Sequence, residues 1–248
     1  MVVEVLLCGL GAVGSWLGFF LGINGVHHFR ILDMDHVTLS NLNGRSIYRT
    51  SDIHKPKTQA FGDITHLLIS AVKIQANTRN FNLMTQNEII TWSRGSSLAV
   101  CAMDSPLAME RFNRIFYHRI PCVYVGMQRG GKTGFIIFTH PGTPCVKCSL
   151  GLDSFKDLHQ LRGEPALPLD IQKIAREAAT VGLALLSSDS QSSDLYHKID
   201  REANFIFLSN EGNEEKQFFK PQKNPDCPIC GLSGEYPYSH AISQEEHP

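Results

Sequence analysis

A glycine-rich turn near the amino terminus constrains the fold of this chain more than any other feature. An apolar run over residues 2–7 predicts a buried strand, and the segment GLGAVG follows almost at once. Its glycines are Gly9, Gly11 and Gly14. A helical stretch then extends to about residue 21, and a second strand is predicted over 28–32. This strand–helix–strand pattern with a G-x-G-x-x-G turn indicates a βαβ unit.

The βαβ unit predicts a nucleotide site. Gly9 and Gly11 permit a tight turn, and Gly14 lets the helix pack closely against the strand. The helix amino terminus presents free N–H groups and a partial positive charge to a phosphate. Asp33 lies 19 residues after Gly14, where a carboxylate can accept hydrogen bonds from ribose hydroxyls. The pattern does not separate NAD from ATP, and a strand–turn–helix junction without a ligand is the alternative.

Strands and helices alternate along most of the chain, which predicts an α/β fold with a doubly wound (Rossmann-like), mostly parallel sheet. A C-terminal antiparallel hairpin completes it. Further helices are predicted over 58–69, 108–118 and 171–186. Further strands are predicted over 72–80, 98–103, 121–126, 133–139, 199–208 and 217–220.

The chain is expected to form one compact domain with three regions. Residues 1–150 form the nucleotide-binding, Rossmann-like region. Residues 151–195 hold a turn-rich crossover, a helix and a flexible linker at 187–194, which is rich in Ser and Asp. Residues 196–248 hold the C-terminal strands, a second cysteine pair and a polar tail.

A polar segment beside the glycine turn carries charges that an ordinary dinucleotide site does not need. Its candidates are Asp33, Asp35, Asn41, Arg45 and Lys57. Cations are needed where a triphosphate must be neutralised and a pyrophosphate leaving group stabilised. Asp104 ends a predicted strand at the same edge of the sheet, where Mg²⁺ could bridge it to phosphate. Each charge alone is typical of a solvated surface, but together they favour a nucleoside triphosphate.

Four of the seven cysteines form two C-x-x-C pairs, an arrangement typical of a metal site. The pairs are Cys145/Cys148 and Cys227/Cys230, with 78 residues between them. Two such knuckles can present four thiolates in a tetrahedron, which suits a structural Zn²⁺. We expect this zinc to staple the C-terminal hairpin to the nucleotide region, with independent thiols or a redox pair as the alternative. Cys8, Cys101 and Cys122 lie in strand-like runs, where a thiol is inert.

Composition and charge exclude several other classes. The 248 residues include 23 Lys+Arg and 24 Asp+Glu, and this net charge of −1 argues against binding nucleic acid by bulk electrostatics. A hydrophobic fraction of 42% argues against a disordered chain. No run reaches the roughly 18 apolar residues that a membrane helix needs. We expect a soluble, cytoplasmic protein without a nucleic-acid or membrane partner.

These motifs together resemble the ubiquitin-activating-enzyme-like adenylyltransferases of the ThiF/MoeB/HesA type. The resemblance covers nearly the whole chain. It rests on GLGAVG at 9–14, LDMDHVTLSNLN at 32–43, KPK at 55–57, the strand ending in Asp104, PCVKC at 144–148 and NPDCPICG at 224–231. It implies the activation of a small ubiquitin-like or sulfur-carrier protein with a Gly-Gly-type C-terminus. The C-terminal carboxylate attacks the α-phosphate of ATP, which yields an acyl-adenylate and pyrophosphate.

The resemblance also implies a role for each site residue. The three glycines of the turn would cradle the phosphates, Asp33 would bind ribose and Asp35 would support that site. Asn41 and Lys57 would contact phosphate, with Lys57 stabilising the developing charge, and Asp104 would hold Mg²⁺. No protein nucleophile is needed, because the substrate supplies its own carboxylate.

The chain departs from the family pattern at three points. Gly44 stands where members place an arginine, so we expect Arg45, or else Arg49, to take over its role. The chain opens at the first strand, whereas homodimeric members carry an earlier segment whose arginine reaches into the partner's site. We therefore expect another cation here or a partner chain, in a homodimer or a heteromer. No cysteine lies between Cys148 and Cys227, where thioester-forming members carry one, so we expect adenylation without a thioester.

Two other functions compete with adenylation. A nicotinamide-dependent oxidoreductase could use the same glycine turn, although Lys57 and Asp104 would then be unexplained. A catalytically weak or inactive scaffold subunit of an activating complex would keep the zinc fold and lose ATP turnover. Members that act on peptides or on a modified RNA base also exist, which leaves the acceptor open.

Overall fold

One sheet of eight strands forms the centre of the computed structural model, which describes residues 2–140, 142–151, 166–187, 199–200, 202–210 and 215–231. In chain order the strands are β1 (Glu4–Cys8), β2 (His28–Leu32), β3 (Lys73–Asn77), β4 (Leu98–Cys101), β5 (Cys122–Gln128), β6 (Thr133–Thr139), β7 (Phe205–Ser209) and β8 (Glu215–Phe219). Across the sheet they lie in the order β3-β2-β1-β4-β5-β6-β7-β8.

The parallel half of the sheet creates the edge at which the candidate site lies. Strands β3, β2, β1, β4 and β5 pair in parallel, and β6, β7 and β8 pair antiparallel beyond them. The register places Cys8 of β1 between Leu32 of β2 and Cys101 of β4, so the residues after these strands meet. The strand order reverses between β1 and β4, where ligands bind in open α/β sheets. The predicted doubly wound, mostly parallel sheet with a C-terminal hairpin is confirmed.

Helices cover both faces of the sheet. They are α1 (Ala12–Ile23), α2 (Lys57–Leu68), α3 (Gln86–Trp92), α4 (Pro106–Phe116), α5 (Val146–Ser149) and α6 (Pro168–Leu186). Apolar side chains of α1, α2 and α6 form the core on one face, and those of α3, α4 and α5 form the core on the other. Within the described residues, none of these helices combines the length and apolar character needed to cross a membrane.

Most predicted elements agree with the structure within a few residues, and the exceptions have local causes. Helices α3 and α5 are not among the predicted elements, and they have only seven and four residues. A capping box at Thr85 and Glu88 begins α3 and is visible in the sequence. The strand predicted over 199–208 begins only at Phe205, because a turn between Asp200 and Ala203 precedes it.

Several predicted segments lie outside the described residues. These are 152–165 of the crossover, 188–194 of the linker and the polar tail at 239–248. The division of the chain into regions 1–150, 151–195 and 196–248 stays a prediction.

A buried aspartate fixes the segment that leads from β2 to α2. The Asp52 carboxylate is fully buried and lies 3.1 Å from Arg49 Nε and 2.9 Å from Lys55 Nζ. Burial raises the pKa of Asp52, but the hydrogen bonds from these cations outweigh it and lower the pKa to about 2. Two residues further on, the Lys57 amide donates to the Asp35 carbonyl at 2.9 Å. Asp52 therefore anchors the segment that positions Lys57.

The substitution Asp52→Asn is expected to reduce stability at neutral pH but not in acid. Because the folded pKa lies below the ordinary value of 3.8, the carboxylate contributes stability above about pH 4 and loses it as the pH falls towards 2. The contribution is on the order of 2 kcal/mol. Urea unfolding between pH 7 and pH 2 should show the wild type and the variant converging at the acid end.

Glu88→Gln is the matched control. Hydrogen bonds from Arg79 and Thr85 also lower the pKa of Glu88 to about 2, but this carboxylate is exposed. Solvent screens exposed pairs, so we expect little change in stability at any pH. A stability difference between Asp52→Asn and the wild type that stays constant from pH 7 to pH 2 would contradict the role of the carboxylate charge.

Candidate functional site

A cavity of about 530 Å³ lies at the carboxyl ends of the parallel strands. The loops after β1, β2, β3 and β4 line it, together with the carboxyl-terminal half of β5 and the start of α6. Of the predicted site residues, Gly9, Gly11, Asp33, Asp35, Asn41, Arg45, Lys57 and Asp104 line this cavity. Fold topology thus brings together residues that lie up to about 95 positions apart in the sequence.

The glycine turn passes so close to the loop after β4 that a side chain is excluded at Gly9, whereas a Cβ at Gly11 would meet nothing within 4 Å. Gly9 has a φ of 94°, and a Cβ there would lie 2.6 Å from the Ala102 carbonyl oxygen. A Cβ on Gly14 would lie 2.0 Å from the Gly9 carbonyl oxygen. Gly14 is not among the residues that line the cavity; it lies behind the turn and lets α1 approach β1. The amino terminus of α1 therefore faces the cavity with free N–H groups.

Asp33 links the glycine turn to the end of β2. Its Oδ2 accepts from the Leu10 amide at 2.6 Å, and its Oδ1 accepts from the Asp35 amide at 2.8 Å. Burial raises the pKa of Asp33, while Lys57 and the two amide donors act in the opposite direction. Tyr48, which the sequence analysis does not identify, donates its hydroxyl to the Leu10 carbonyl at 2.6 Å. The glycine turn is therefore held at Leu10 by two side chains, with Asp33 accepting from its amide and Tyr48 donating to its carbonyl.

Two cations from the polar segment line the cavity. Lys57 is the first residue of α2, and its Nζ lies 2.8 Å from Asp35 Oδ2. Arg45 has a buried Nε that finds no hydrogen-bond partner among the residues that the structure describes. Arg49 does not line the cavity, because its guanidinium is exposed and pairs with Asp52. Of the two arginines that the sequence offers as replacements at Gly44, only Arg45 reaches the cavity.

Asn41 and Asp104 complete the predicted polar lining. The Asn41 side-chain oxygen accepts from the Thr38 amide at 3.0 Å, which leaves its amide nitrogen for the cavity. Asp104 is exposed at the end of β4. Ser105 follows it and caps α4 by accepting from the Ala108 amide at 3.3 Å. The part of the cavity lining at the start of α4 therefore offers both a carboxylate that can bind a cation and helix N–H donors.

The loop after β3 is a part of the site that the sequence analysis misses. Asn80, Phe81 and Asn82 line the cavity. Arg111 of α4 fixes this loop by donating to the Phe81 carbonyl at 2.7 Å and to the Met84 carbonyl. No local motif signals this contact, because Arg111 lies about 30 residues away and acts on backbone oxygens.

The far end of the cavity differs in character from the end that holds the glycine turn and the two cations. It is lined mainly by apolar side chains, namely Val125, Met127, Phe135, Ala166 and Ile171. Gly131 also lines it, with a φ of 85°. The cavity therefore combines one polar, charged end with one apolar end.

The four cysteines of the two C-x-x-C pairs meet in one cluster. Their Sγ atoms all lie within 4.8 Å of one another, with 3.7 Å between Cys145 and Cys227 and 3.5 Å between Cys148 and Cys230. A hydrogen bond from Cys230 is the main cause that lowers the pKa of Cys145 to about 5. Four thiol donors in a closed cluster suit Zn²⁺ in a structural site.

The other three cysteines are buried in the sheet. Burial raises the pKa of Cys101 and Cys122 to about 12, and it raises the pKa of Cys8 as well. These thiols stay protonated at neutral pH, in agreement with their assignment as inert core residues.

The cysteine cluster is anchored to the rest of the fold by polar contacts. The fully buried Asn204 donates its amide to the Pro144 and Phe138 carbonyls, both at 2.9 Å. At the far end of α4, a ring nitrogen of His118 lies 2.7 Å from the Ile229 carbonyl oxygen. The cluster therefore joins the segment after β8 to α4 and to the start of α5.

Sequence comparison relates the chain to activating enzymes. The model of the ThiF family matches residues 2–229. The molybdopterin-synthase adenylyltransferase of Escherichia coli (strain K12) is 23% identical over 236 residues, which cover 92% of this chain and 87% of that protein. The NEDD8-activating enzyme E1 catalytic subunit of Caenorhabditis elegans is 24% identical over 163 residues, which cover 60% of this chain. The match spans only about a third of that relative, 37% of its length.

Comparison of structures supports the same fold. The crystal structure of E. coli MccB with ATP superposes with a TM-score of 0.73 and 18% sequence identity, over 92% of this chain and 67% of that one. The structure of MccB with N-formylated MccA gives a TM-score of 0.73 at 16% identity, with the same coverage. At this level of identity the likeness concerns the fold.

We expect the purified chain to carry one zinc ion, held by the cysteine cluster. Removal of the metal with a chelator should lower the thermal unfolding midpoint by about 10 °C, because a closed metal site contributes on the order of 3 kcal/mol or more. Metal content by mass spectrometry and unfolding by calorimetry measure the two effects. Cys148→Ser should lose the metal.

Cys122→Ala is the matched control for this experiment. It removes a buried thiol outside the cluster and should keep the metal at a small cost in stability. An unfolding midpoint that does not change on chelation would show that the cluster holds no structural metal.

Proposed function

The chain belongs to the ThiF family, and from that premise we propose that it is an adenylyltransferase for the C-terminal carboxylate of a small ubiquitin-like or sulfur-carrier protein. One observation carries the proposal. A single cavity joins a glycine turn, two cations and the Asp104 carboxylate at one end to an apolar lining at the other. ATP would occupy the charged end, and the acceptor terminus would enter from the apolar end.

The charged end offers groups for the phosphates and the ribose of ATP. The amino terminus of α1 and the turn at Gly9 and Gly11 would receive phosphate oxygens. Asp33 uses one lone pair of each oxygen for a backbone amide, so it can still accept from a ribose hydroxyl. Arg45 would donate to the phosphates and thereby satisfy its buried Nε. The Asn41 amide nitrogen, in the same segment as Arg45, would also donate to the phosphates.

Asp104 would hold Mg²⁺, the hard cation that carboxylate and phosphate oxygens prefer. Such an ion would supply positive charge that neutralises part of the phosphate charge. Asp104 fits this role because it is exposed, lines the cavity and follows a strand that ends beside the glycine turn.

The proposed reaction needs positioning and charge neutralisation more than a protein nucleophile. A carboxylate oxygen of the acceptor attacks the α-phosphorus of ATP, and the bond from that phosphorus to the bridging oxygen breaks. The products are the acyl-adenylate and pyrophosphate, which leaves with the bonding electron pair. Lys57 and Arg45 would stabilise the charge that develops on the phosphates.

The apolar end of the cavity supports an acceptor with a slender, uncharged terminus. Val125, Met127 and Phe135 offer no charge to select an acidic or basic side chain, and Gly131 is buried in close contact with Ala166. A Gly-Gly terminus fits this lining. Relatives point to the same class of acceptor, since one is named a NEDD8-activating enzyme subunit and another a molybdopterin-synthase adenylyltransferase. An additional cation would come from a second copy of the chain or from a different partner chain.

Adenylation would stop short of a thioester on this chain. Cys8, Cys101 and Cys122 are buried and their raised pKa values keep them protonated. The remaining four cysteines are committed to the cluster. None of the seven is an exposed thiol with a lowered pKa at the cavity, which is what transfer to sulfur requires.

The first measurement is calorimetric binding of Mg-ATP and of NAD to the wild type and to Asp104→Ala. We expect Mg-ATP to bind, and to bind about tenfold more weakly to the variant because a ligand of the cation is lost. Asp63→Ala, which removes an exposed carboxylate outside the cavity, should bind as the wild type does. A preference for NAD would establish an oxidoreductase instead, and binding of neither would favour a scaffold subunit.

The second measurement follows the acceptor on a denaturing gel. With ATP and ubiquitin-like proteins ending in Gly-Gly, we expect ATP–pyrophosphate exchange but no covalent adduct with this chain. Acceptors without the final glycine serve as the control and should not support exchange. A band of the covalent adduct that disappears on treatment with a thiol would refute adenylation without a thioester. ATP–pyrophosphate exchange with a short peptide, but not with the ubiquitin-like proteins, would show that the acceptor is a peptide.

A further inference from the structure

The turn before Arg45 has an unusual backbone that determines where its guanidinium points. Asn43 and Gly44 have φ values of 59° and 80°, and the Arg45 amide donates to the Leu42 carbonyl at 3.3 Å. Two successive residues in the left-handed region, with this hydrogen bond across them, are typical of a type I′ turn. The Asn-Gly pair suits it, and the turn places Arg45 one position after the site of the arginine in the family pattern.

The tip of this turn is tied to the helix that begins at the glycine turn. The indole nitrogen of Trp16 donates to the Gly44 carbonyl at 3.1 Å. Trp16 lies one turn along α1 from Ala12 and Val13, which line the cavity. The tip that precedes Arg45 is thus held by the same helix whose amino terminus faces the cavity.

Two further aromatic rings fix the orientation of the indole. Phe20 is stacked on Trp16, with centroids 5.8 Å apart and planes at 27°. Phe19 meets it edge-on at 6.0 Å and 81°. Such contacts restrict the side chain without contributing a donor of their own. The indole N–H therefore reaches the Gly44 carbonyl from a fixed position.

We propose that Trp16 is a positioning residue for nucleotide binding: its indole N–H holds the Gly44 carbonyl so that the Arg45 guanidinium faces the phosphates. This inference rests on the proposed function. Arg45 lines the cavity with a buried, unpartnered Nε among the described residues, and a buried donor is costly until an acceptor arrives. Without the indole contact, the turn loses its hydrogen bond to α1, and the direction of the Arg45 side chain is no longer fixed from that helix.

Trp16→Phe tests the hydrogen bond while keeping an aromatic ring in the cluster. We expect the affinity for Mg-ATP to fall about five- to tenfold, as for the loss of one hydrogen bond that positions a charged group. The affinity for adenosine, which lacks phosphates, should change less than about twofold, since Arg45 would contact only phosphate. Binding by calorimetry gives both values, and thermal unfolding checks that the variant is folded.

A double variant separates positioning from independent effects. Because Trp16 would act through Arg45, Trp16→Phe should cost nothing further in Mg-ATP affinity once Arg45→Ala is present. Trp92→Phe is the matched control, since it makes the same substitution at the other tryptophan, whose indole nitrogen finds no hydrogen-bond partner among the described residues and which does not line the cavity. It should bind Mg-ATP as the wild type does. If Trp16→Phe fails to fold, Gly44→Ala disturbs the same turn, because an alanine is strained at a φ of 80°, and should show the same loss for Mg-ATP alone.

Each outcome decides the question. Equal weakening of Mg-ATP and adenosine would show that Trp16 only supports the fold, and unchanged affinities or additive losses with Arg45→Ala would also overturn the proposal. These results leave the proposed function intact, because the wild type still binds Mg-ATP. A wild type that binds neither ligand would instead overturn the nucleotide site, and the role of Trp16 with it.

Discussion

The carboxylate of Asp33 is the contact on which the cavity depends, because it fixes the ends of two neighbouring strands at once. One oxygen holds the Leu10 amide in the glycine turn, and the other holds the Asp35 amide after β2. Burying a carboxylate is unfavourable, and the raised pKa of Asp33 reflects it. Two backbone N–H donors offset that cost. They also attach the turn and the Asp35–Lys57 pair to the same carboxylate, so that groups from different loops keep a defined spacing in the cavity.

Helix α4 gives the cysteine cluster a direct connection to this cavity. Its capping residue Ser105 and first residues line the cavity, while Tyr117 at its other end is buried against the four cysteines. The C-terminal hairpin does not need a metal to reach the sheet, because β7 already pairs with β6 along five residues. The cluster instead anchors the segment after β8 to α4 and α5. A metal there would stabilise α4 and, with it, the part of the cavity lining that includes Asp104.

The sequence predicts those parts of the site in which spacing alone fixes geometry. The G-x-G-x-x-G turn, Asp33 at the end of the next strand and the paired C-x-x-C knuckles all act through short segments, and the structure brings each set together. The choice between Arg45 and Arg49 depends on the left-handed turn at Asn43 and Gly44. The Asn-Gly pair indicates a turn at this point, but no sequence motif shows which arginine the turn directs into the cavity.

Other contacts escape local motifs because they join distant segments. Tyr48 reaches Leu10 across 38 positions, and Arg111 reaches Phe81 across 30. The two cations that line the cavity differ in how they are paired. Asp35 is 55% exposed, so its ion pair with Lys57 is weak and a phosphate could displace it. The buried Nε of Arg45 has no hydrogen-bond partner among the described residues, and the proposed phosphate would give it one. Leaving the buried Arg45 donor without a partner costs stability, and under the proposed function a bound polyphosphate would offset that cost.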